Sequence, residues 1–539
     1  MTVAQKKLLG ESLVEKGLIT EEQLRQADFE AKSSAKPLRK ILIEKGLISE
    51  EDLTAFLSQE FNLPLVDLTN YLIEPDIIDL IPEALARKHL LIPILRIGNE
   101  LTVAMVDPLD VFALDELHMK TGLNIEPALA TETELKKALN QHYQAKGTLE
   151  EVIDSLDREK LEVKPGQETE LKKLQGIAEE PPVIKLVNMM IIEAVRQGAS
   201  DIHIEPEEDT LKIRFRIDGL LHERTGPPKY LQSAVISRIK VMADLDISER
   251  RVPQDGRIQM KMEGRDIDIR VSCIPTIYGE NVVLRLLDRS QVILELKQLG
   301  FSPSILPQYE KLICCPHGII LVCGPTGSGK TTTLYASLNA INSEDKNIIT
   351  IEDPVEYHLA GIRQMQVNPK AGLRFAEALS AILRQDPDVI MVGEVRNVET
   401  AKAAVQAALT GHLVFSTLHT NDAPSAITRL LDMGVEPFLI SSSIIGVLSQ
   451  RLVRTICAEC KGKGCKGCLQ TGFKGRIGIF ELMIPNEKIR AFITAKASSD
   501  EIRKTAVEAG MQLLREDGQS KVNNGITTIQ EVMRVTEEA

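Results

Sequence analysis

A glycine-rich run in the middle of the chain has residue types that bind phosphate groups. Residues 324–332 read Gly-Pro-Thr-Gly-Ser-Gly-Lys-Thr-Thr, which fits the phosphate-loop pattern G-x-x-x-x-G-K-[ST]. An apolar segment, 318–323, leads into the run, and apolar residues at helical spacing follow from Leu334. Glycines let backbone N–H groups converge on phosphate oxygens, and the start of the following helix adds its positive dipole end. The pattern therefore predicts a loop that binds a nucleoside triphosphate.

The last part of the run predicts individual contacts. In this motif the lysine, Lys330, reaches the β- and γ-phosphates, and the hydroxyl of Thr331 binds Mg²⁺. The predicted nucleotide-binding residues are Gly324, Pro325, Thr326, Gly327, Ser328, Gly329, Lys330, Thr331 and Thr332.

Two later apolar segments end in carboxylates. The first, 347–356, contains Glu352, Asp353 and Glu356, and the second ends at Glu394. An acid at a strand end beside a phosphate loop can hold Mg²⁺ through water or orient the attacking water. The pattern therefore predicts hydrolysis, but spacing alone does not separate Glu352 from Glu356 as the general base.

Two histidines bracket a further apolar segment. His412 precedes the segment 413–418 and His419 follows it. If this strand lies beside the nucleotide, the two histidines are predicted to sense the γ-phosphate. The alternative is that both are ordinary packed or solvated residues.

Four of the eight cysteines form a cluster with metal-site spacing. Cys457, Cys460, Cys465 and Cys468 fit C-x₂-C-x₄-C-x₂-C, and four thiolates are the ligand set that tetrahedral Zn²⁺ prefers. Four ligands leave no open coordination position, so the predicted role is structural. A redox pair, an iron–sulfur site and chance clustering are the alternatives.

Composition places these motifs in a soluble protein of several domains. The chain has 539 residues, 43% of them hydrophobic, and no run of about eighteen apolar residues that would cross a membrane. Its first residues lack the apolar core of a signal peptide, so we expect a cytoplasmic location. The net charge of −13 disfavours non-specific binding to nucleic acid.

Changes in residue pattern along the chain predict five segments. Residues 1–60 contain a helical repeat, because 13–24 recurs as 42–53. A highly charged stretch with few large apolar residues predicts a linker. The predicted segments are the repeat module (1–60), a small α/β domain (61–145), the linker (146–180), an arginine-rich α/β domain (181–295) and the phosphate-loop domain (296–539), which carries the cysteine insertion at 457–468.

Taken together, these motifs resemble the secretion superfamily of ATPases, the GspE/PilB family. The resemblance covers nearly the whole chain and is strongest over 181–484. Its motifs are the Walker A run (324–332), the Asp box (351–356), the Walker B strand (389–394), the His box (411–422), and two runs in the preceding domain (198–206 and 252–257). It implies a multidomain α/β fold with a RecA-like core, preceded by a PAS-like α/β domain and small N-terminal modules.

The resemblance also implies roles for individual residues. Glu356 would be the general base and Glu394 would hold the Mg²⁺ site. His412 and His419 would sense the γ-phosphate. Arg270 and Arg285 match arginines that reach the phosphates when the two C-terminal domains close.

The N-terminal repeat resembles an MshEN-like module, which in some pilus and secretion ATPases binds cyclic di-GMP. The family form begins each copy with Arg-Leu-Gly and closes it with Gln. This chain has Leu8-Leu9-Gly10 and Leu38-Arg39 at the two starts, and Ala31 and Glu60 at the two ends. Two interpretations stay open, a cyclic di-GMP site and a helical docking module.

The family implies a hexameric motor that hydrolyses ATP and powers type IV pilus assembly. Its partners would be an inner-membrane platform protein of the PilC/GspF type and a cytoplasmic ring protein of the PilM/GspL type, so the motor would be peripherally associated with the inner membrane. Type II secretion is the alternative function. A DNA-uptake or conjugation ATPase and a regulatory nucleotide-binding module without turnover are weaker alternatives.

Overall fold

The computed structural model describes residues 12–14, 16–34, 38–68, 71–108, 110–143, 181–224, 226–262, 264–288 and 295–536. The chain forms two compact units, Met1–Ser290 and Gln291–Ala539. Within the described ranges, none of the helices combines the length and the apolar character needed to cross a membrane. The predicted linker, 146–180, lies outside them.

The N-terminal part of the first unit joins helices to a small sheet. The helix Glu50–Phe61 begins after Ser49, whose side chain accepts a hydrogen bond from the backbone N–H of Asp52, as expected for an N-cap. The described elements are α1 (Glu21–Ser34), α2 (Leu38–Glu44), α3 (Glu50–Phe61), β1 (Tyr71–Leu72), α4 (Pro75–Ile78), α5 (Glu83–His89), β2 (Leu91–Ile97), β3 (Glu100–Met105), α6 (Val111–Thr121), β4 (Asn124–Leu129) and α7 (Glu132–Tyr143). Strands β2, β3 and β4 form a three-stranded sheet in that order.

The rest of the first unit is a larger sheet with apolar side chains on one face. Alternating residues of its strands, such as Ile267, Ile269 and Val271, pack in a common core with the helices Pro181–Arg196 and Gln232–Met242. The described elements are α8 (Pro181–Arg196), β5 (Ala199–Pro206), β6 (Leu211–Ile217), β7 (Leu220–Arg224), α9 (Gln232–Met242), β8 (Gln254–Met262), β9 (Arg265–Thr276) and β10 (Gly279–Asp288). The strand order is β1-β8-β9-β10-β5-β6-β7.

The second unit contains a mostly parallel sheet whose central strands are buried. Its described elements are α10 (Leu306–Ile313), β11 (Gly318–Cys323), α11 (Lys330–Ile341), β12 (Ile348–Glu352), β13 (Arg363–Gln366), α12 (Phe375–Ile382), β14 (Val389–Val392), α13 (Val398–Leu409), β15 (Leu413–Leu418), α14 (Ala423–Asp432), α15 (Pro437–Ser443), β16 (Ile444–Ile456), β17 (Phe473–Met483), α16 (Glu487–Thr494), α17 (Ser499–Glu508), α18 (Leu514–Asn523) and α19 (Ile529–Thr536). The strand order is β13-β12-β14-β15-β11-β16-β17, and only the β16–β17 pair is antiparallel.

This topology explains both the sequence pattern and the position of the site. Every residue of β11, β12, β14 and β15 is buried, and parallel strands covered on both faces read as continuous apolar runs. Because the strands are parallel, their carboxyl ends meet at one edge of the sheet. In such sheets ligands bind beyond that edge.

Candidate active site

The glycine-rich run forms a tight loop between β11 and α11. Gly324, Gly327 and Gly329 have positive φ angles of 151°, 80° and 87°. A Cβ atom at Gly324 would lie 2.6 Å from the carbonyl oxygen of Gln450, which is closer than packing allows. Glycine is therefore required at the first position by space as well as by conformation.

Lys330 holds its ammonium group within the loop. Its Nζ donates hydrogen bonds to the carbonyl oxygens of Gly324 at 2.7 Å and Pro325 at 3.0 Å. Burial lowers the pKa of Lys330 to about 8, although the charge of Glu394 acts in the opposite direction. The Oγ of Ser328 is buried and has no hydrogen-bond partner among the described residues. A buried hydroxyl without a hydrogen-bond partner, in a glycine-rich loop, fits a site that binds phosphate oxygens.

Glu394 and His419 lie next to this lysine. Glu394 follows β14, and its two carboxylate oxygens lie 2.6 Å from Arg396 Nη2 and 3.6 Å from His419 Nε2. Burial lowers the pKa of His419, and the charge of Lys330 lowers it further. The fold thus brings Lys330, Glu394 and His419 together. Thr331 follows Lys330 in the first turn of α11, and a hydroxyl and a carboxylate oxygen are ligand types that Mg²⁺ accepts.

His412 lies at the other end of β15. The backbone N–H of Gly318, at the start of β11, donates to the His412 carbonyl oxygen at 3.1 Å, whereas the phosphate loop follows the end of β11. Seven residue-to-residue steps of extended chain lead from His412 to His419, about 23 Å at 3.3 Å per step. The structure of one chain therefore does not bring His412 to the loop, because the two ends of a strand lie at opposite edges of a sheet.

The two candidate bases on β12 and its following segment have different surroundings. Glu352 is 3% exposed and accepts hydrogen bonds from Tyr335, Thr350 and Gln364. Such a carboxylate is occupied by protein donors. Glu356 is half-buried in the segment after the strand, where solvent can reach it, so we expect Glu356 rather than Glu352 to meet a water molecule.

Tyr335 and Gln364 are site residues that the sequence interpretation missed, together with Gln450. Gln450 accepts a hydrogen bond from Thr333 Oγ1 at 2.6 Å and packs under the loop glycines. The sequence contains only a weak signal for these three residues. A tyrosine or glutamine within an apolar pattern needs a polar partner when it is buried, but the pattern does not say which residue that partner is.

Arg270 and Arg285 lie in the first unit, directly opposite each other on β9 and β10. Arg257 on β8 is opposite Arg270, and Asp201 on β5 is opposite Arg285. The four residues form one row across the sheet, on the face away from α8 and α9. Arg285 Nε donates to Asp201 Oδ1 at 2.9 Å.

The four clustered cysteines converge at the tip of the β16–β17 hairpin. Their Sγ atoms lie 3.9 Å apart for Cys457 and Cys465, 3.7 Å for Cys460 and Cys468, and 3.6 Å for Cys465 and Cys468. A tetrahedral zinc site with Zn–S bonds of about 2.3 Å has sulfur–sulfur distances of about 3.8 Å. The cluster therefore fits Zn²⁺.

The residues considered for cyclic di-GMP are only partly described. Leu8-Leu9-Gly10 lies outside the described residues. Arg39 turns towards the small α/β domain, where it donates to the Val106 carbonyl oxygen at 2.7 Å and pairs with Glu132 at 3.5 Å. Cyclic di-GMP binding stays a prediction.

The chain matches two protein-family models. The family model "Type II/IV secretion system protein" matches residues 177–534, and the MshEN domain model matches 61–149. The MshEN match therefore lies on the small α/β domain, C-terminal of the repeat.

Two curated relatives match almost end to end. The type IV pilus assembly ATPase PilB of Myxococcus xanthus is 44% identical over 97% of this chain and 98% of its own. The type II secretion system protein E of Xanthomonas campestris pv. campestris is 43% identical over 89% of this chain and 90% of its own. The ATPase DotB of Yersinia pseudotuberculosis, a solved structure at 22% identity, aligns with 66% of this chain and 94% of its own at a TM-score of 0.54, which supports the fold. The chain belongs to the type II/IV secretion system protein family, and it is an ATPase of that family.

Proposed function

We propose that this chain is the ATP-hydrolysing motor of type IV pilus assembly. The end-to-end match to the Myxococcus xanthus pilus assembly ATPase, 97% of one chain against 98% of the other, carries this proposal. It implies a common domain organisation, including the N-terminal modules, as well as a common catalytic core.

In this proposal the phosphate loop binds the triphosphate through its backbone N–H groups and Lys330. Thr331 and Glu394 would hold Mg²⁺, which offsets negative charge on the phosphates. Glu356 accepts a proton from the attacking water. His419, held at 3.6 Å from Glu394, meets the γ-phosphate side of the loop.

We propose that two arginines of the first unit also take part in the reaction, as the resemblance to the family implies. In this proposal Arg270 and Arg285 supply guanidinium groups that neutralise charge developing on the phosphates during transfer. We propose that six copies form a ring and work against an inner-membrane platform protein and a cytoplasmic ring protein.

A second candidate function is type II secretion. The Xanthomonas campestris protein matches over 89% of this chain at nearly the same identity. The site chemistry would be the same in both systems, and only the partners would differ.

The first experiment measures ATP turnover of the purified full-length chain beside Glu356→Gln, with oligomer mass recorded with and without ATP. General base catalysis contributes about 10²- to 10⁴-fold, so the variant should bind ATP but lose at least about a hundredfold in kcat. A wild-type chain that stays monomeric and hydrolyses no nucleotide would overturn the motor proposal.

The second experiment separates the two biological roles. The gene is deleted in its host, and surface pili and secreted proteins are measured. Loss of pili with normal secretion supports pilus assembly, whereas secreted proteins retained in the cell with normal pili support type II secretion.

A further inference from the structure

A buried tyrosine connects the helix after the phosphate loop with the segment that carries Glu356. Tyr335 lies on α11, five residues after Lys330, and is 0% exposed. Its hydroxyl donates to the Glu352 carboxylate and accepts a hydrogen bond from the Glu356 backbone N–H at 3.3 Å. Its ring meets Tyr357 edge to face, with centroids 4.6 Å apart. One side chain therefore contacts both ends of the segment 352–357.

The direction of the Tyr335 hydroxyl is set by Glu352. This buried carboxylate also accepts from Thr350 Oγ1 at 2.6 Å and from Gln364 Nε2 at 3.2 Å. An ionised carboxylate only accepts hydrogen bonds, and a phenol has a single proton to donate. The proton of Tyr335 therefore goes to Glu352, which leaves its lone pairs to receive the Glu356 N–H.

Gln364 holds the same segment through three further hydrogen bonds. Its Oε1 accepts from the Leu359 N–H at 2.7 Å, and its Nε2 donates to the Tyr357 carbonyl oxygen at 3.2 Å as well as to Glu352. The backbone on both sides of Tyr357 is thus held by side chains that share one buried carboxylate. Satisfied buried networks of this kind hold a single geometry.

We propose that Tyr335 is a positioning residue for the Glu356 carboxylate, acting through the Glu356 backbone. This rests on the proposed role of Glu356 as general base. Helix α11 begins with Lys330 and Thr331, and five residues of helix rise only about 7.5 Å. The Tyr335 hydroxyl therefore joins the helix that starts at the phosphate loop to the backbone of Glu356.

The test compares two tyrosine variants of the full-length chain. Tyr335→Phe keeps the ring and removes the hydroxyl. The matched control is Tyr309→Phe: Tyr309 is also 0% exposed, and its hydroxyl bonds Ser337 on the same helix at 2.8 Å. Misplaced catalytic groups cost up to about a hundredfold, so Tyr335→Phe should lower kcat about ten- to a hundredfold. Its affinity for ATP should change less than about twofold.

A double variant distinguishes loss of the position of the Glu356 carboxylate from a general loosening of the structure. In a Glu356→Gln background, adding Tyr335→Phe should cause no further loss of kcat, because the carboxylate that it positions is already gone. Tyr309→Phe should keep the kcat of the wild type and lose about as much thermal stability as Tyr335→Phe.

Three results would overturn the proposal. One is wild-type kcat in Tyr335→Phe while Glu356→Gln is inactive, which leaves the proposed base intact. Another is an equal loss of kcat in the two tyrosine variants, which indicates a structural role only. The third is full activity in Glu356→Gln, which refutes the base assignment itself and with it the foundation of this inference.

Discussion

Lys330 is a cation held inside a loop that is shaped for anions. Its ammonium group donates to two loop carbonyl oxygens, and burial lowers its pKa to about 8. A bound triphosphate adds negative charge beside the ammonium group, which favours the protonated form and raises the pKa again. Binding of ATP is therefore linked to the protonation of this one side chain.

This linkage predicts a pH dependence of ATP affinity. Below pH 8 the free protein already carries the proton and affinity is full. Above pH 8 the free lysine loses its proton while the bound one keeps it, so the Kd should rise up to about tenfold per pH unit. Equilibrium binding of a fluorescent ATP analogue from pH 7 to pH 9.5 measures this. Lys330→Arg should remove the pH dependence, because arginine does not titrate in this range; an equally steep dependence in that variant would contradict the explanation.

We predict that Glu352 contributes to the thermal stability of the protein and takes no direct part in ATP hydrolysis. Glu352→Ala leaves two buried hydroxyl donors, on Tyr335 and Thr350, without this acceptor, whereas Gln364 Nε2 keeps its bond to the Tyr357 carbonyl oxygen. An unsatisfied buried group costs about 1–3 kcal/mol, which corresponds to a fall in Tm of roughly 3–10 °C for a domain of this size. Scanning calorimetry should find that fall, and the control Glu344→Ala, an exposed residue, should melt like the wild type. Equal melting of both variants would argue against the network.

At the scale of elements, the sequence predicts secondary structure well wherever burial alone determines the pattern of apolar residues. The apolar run 318–323 followed by the glycine loop predicted β11, the loop and α11, because a parallel strand buried on both faces has no polar positions. The roles of Glu352 and Glu356 were not separable in this way. The donors that occupy Glu352 come from residues 335, 350 and 364, and only the folded sheet brings them to one point.

His412 shows a second limit of prediction from sequence, which is that the pattern does not give the direction of a strand within its sheet. Two histidines that bracket a strand were interpreted as one sensor pair, although a strand of six residues, 413–418, places its two ends at opposite edges of the sheet. The direction of β15 relative to β11 decides which histidine meets the loop. Parallel pairing, Gly318 with Leu413 and Cys323 with Leu418, puts His419 there.

The β16–β17 hairpin connects the cysteine cluster to the C-terminal helix. Arg454 on β16 pairs with Glu531 at 2.7 Å and lies over the ring of Phe473 at 4.2 Å. Glu531 also pairs with Arg534 at 2.8 Å. The cluster therefore closes a hairpin that holds α19, and its loss should loosen this end of the second unit.

We predict one zinc ion per chain and a structural effect of its removal. Cys460→Ser should lose the metal, measured by elemental analysis, and should lower the Tm, because structural zinc contributes directly to folding. Cys314→Ser, a change at an exposed cysteine outside the cluster, should keep both. Full zinc content in Cys460→Ser would refute the four-cysteine site.

At the scale of the whole molecule, the arginine row places like charges next to one another, an arrangement that does not stabilise the fold. Arg257, Arg270 and Arg285 are cross-strand neighbours, and like charges directly opposite one another are destabilising. Two acids offset part of this charge: Asp268 pairs with Arg257, and Asp201 pairs with Arg285. A row of three guanidinium groups on one face of the sheet fits a surface that receives additional negative charge.

We predict that loss of the Arg285 side chain lowers activity and leaves stability almost unchanged. Arg285→Ala leaves Asp201 with Ser200 Oγ at 2.8 Å and Arg216 at 3.7 Å, so the Tm should hardly change. The kcat should fall at least about a hundredfold if this arginine neutralises charge in phosphoryl transfer, while the loop of the second unit continues to bind ATP. Arg270→Ala should lower kcat in the same way.

The control is Arg214→Ala, on the same face of the sheet and paired with Glu205 at 2.6 Å, which should keep its kcat. Steady-state kinetics and calorimetry on the three variants decide the matter. An unchanged kcat in both Arg270→Ala and Arg285→Ala would separate the first unit from the chemistry.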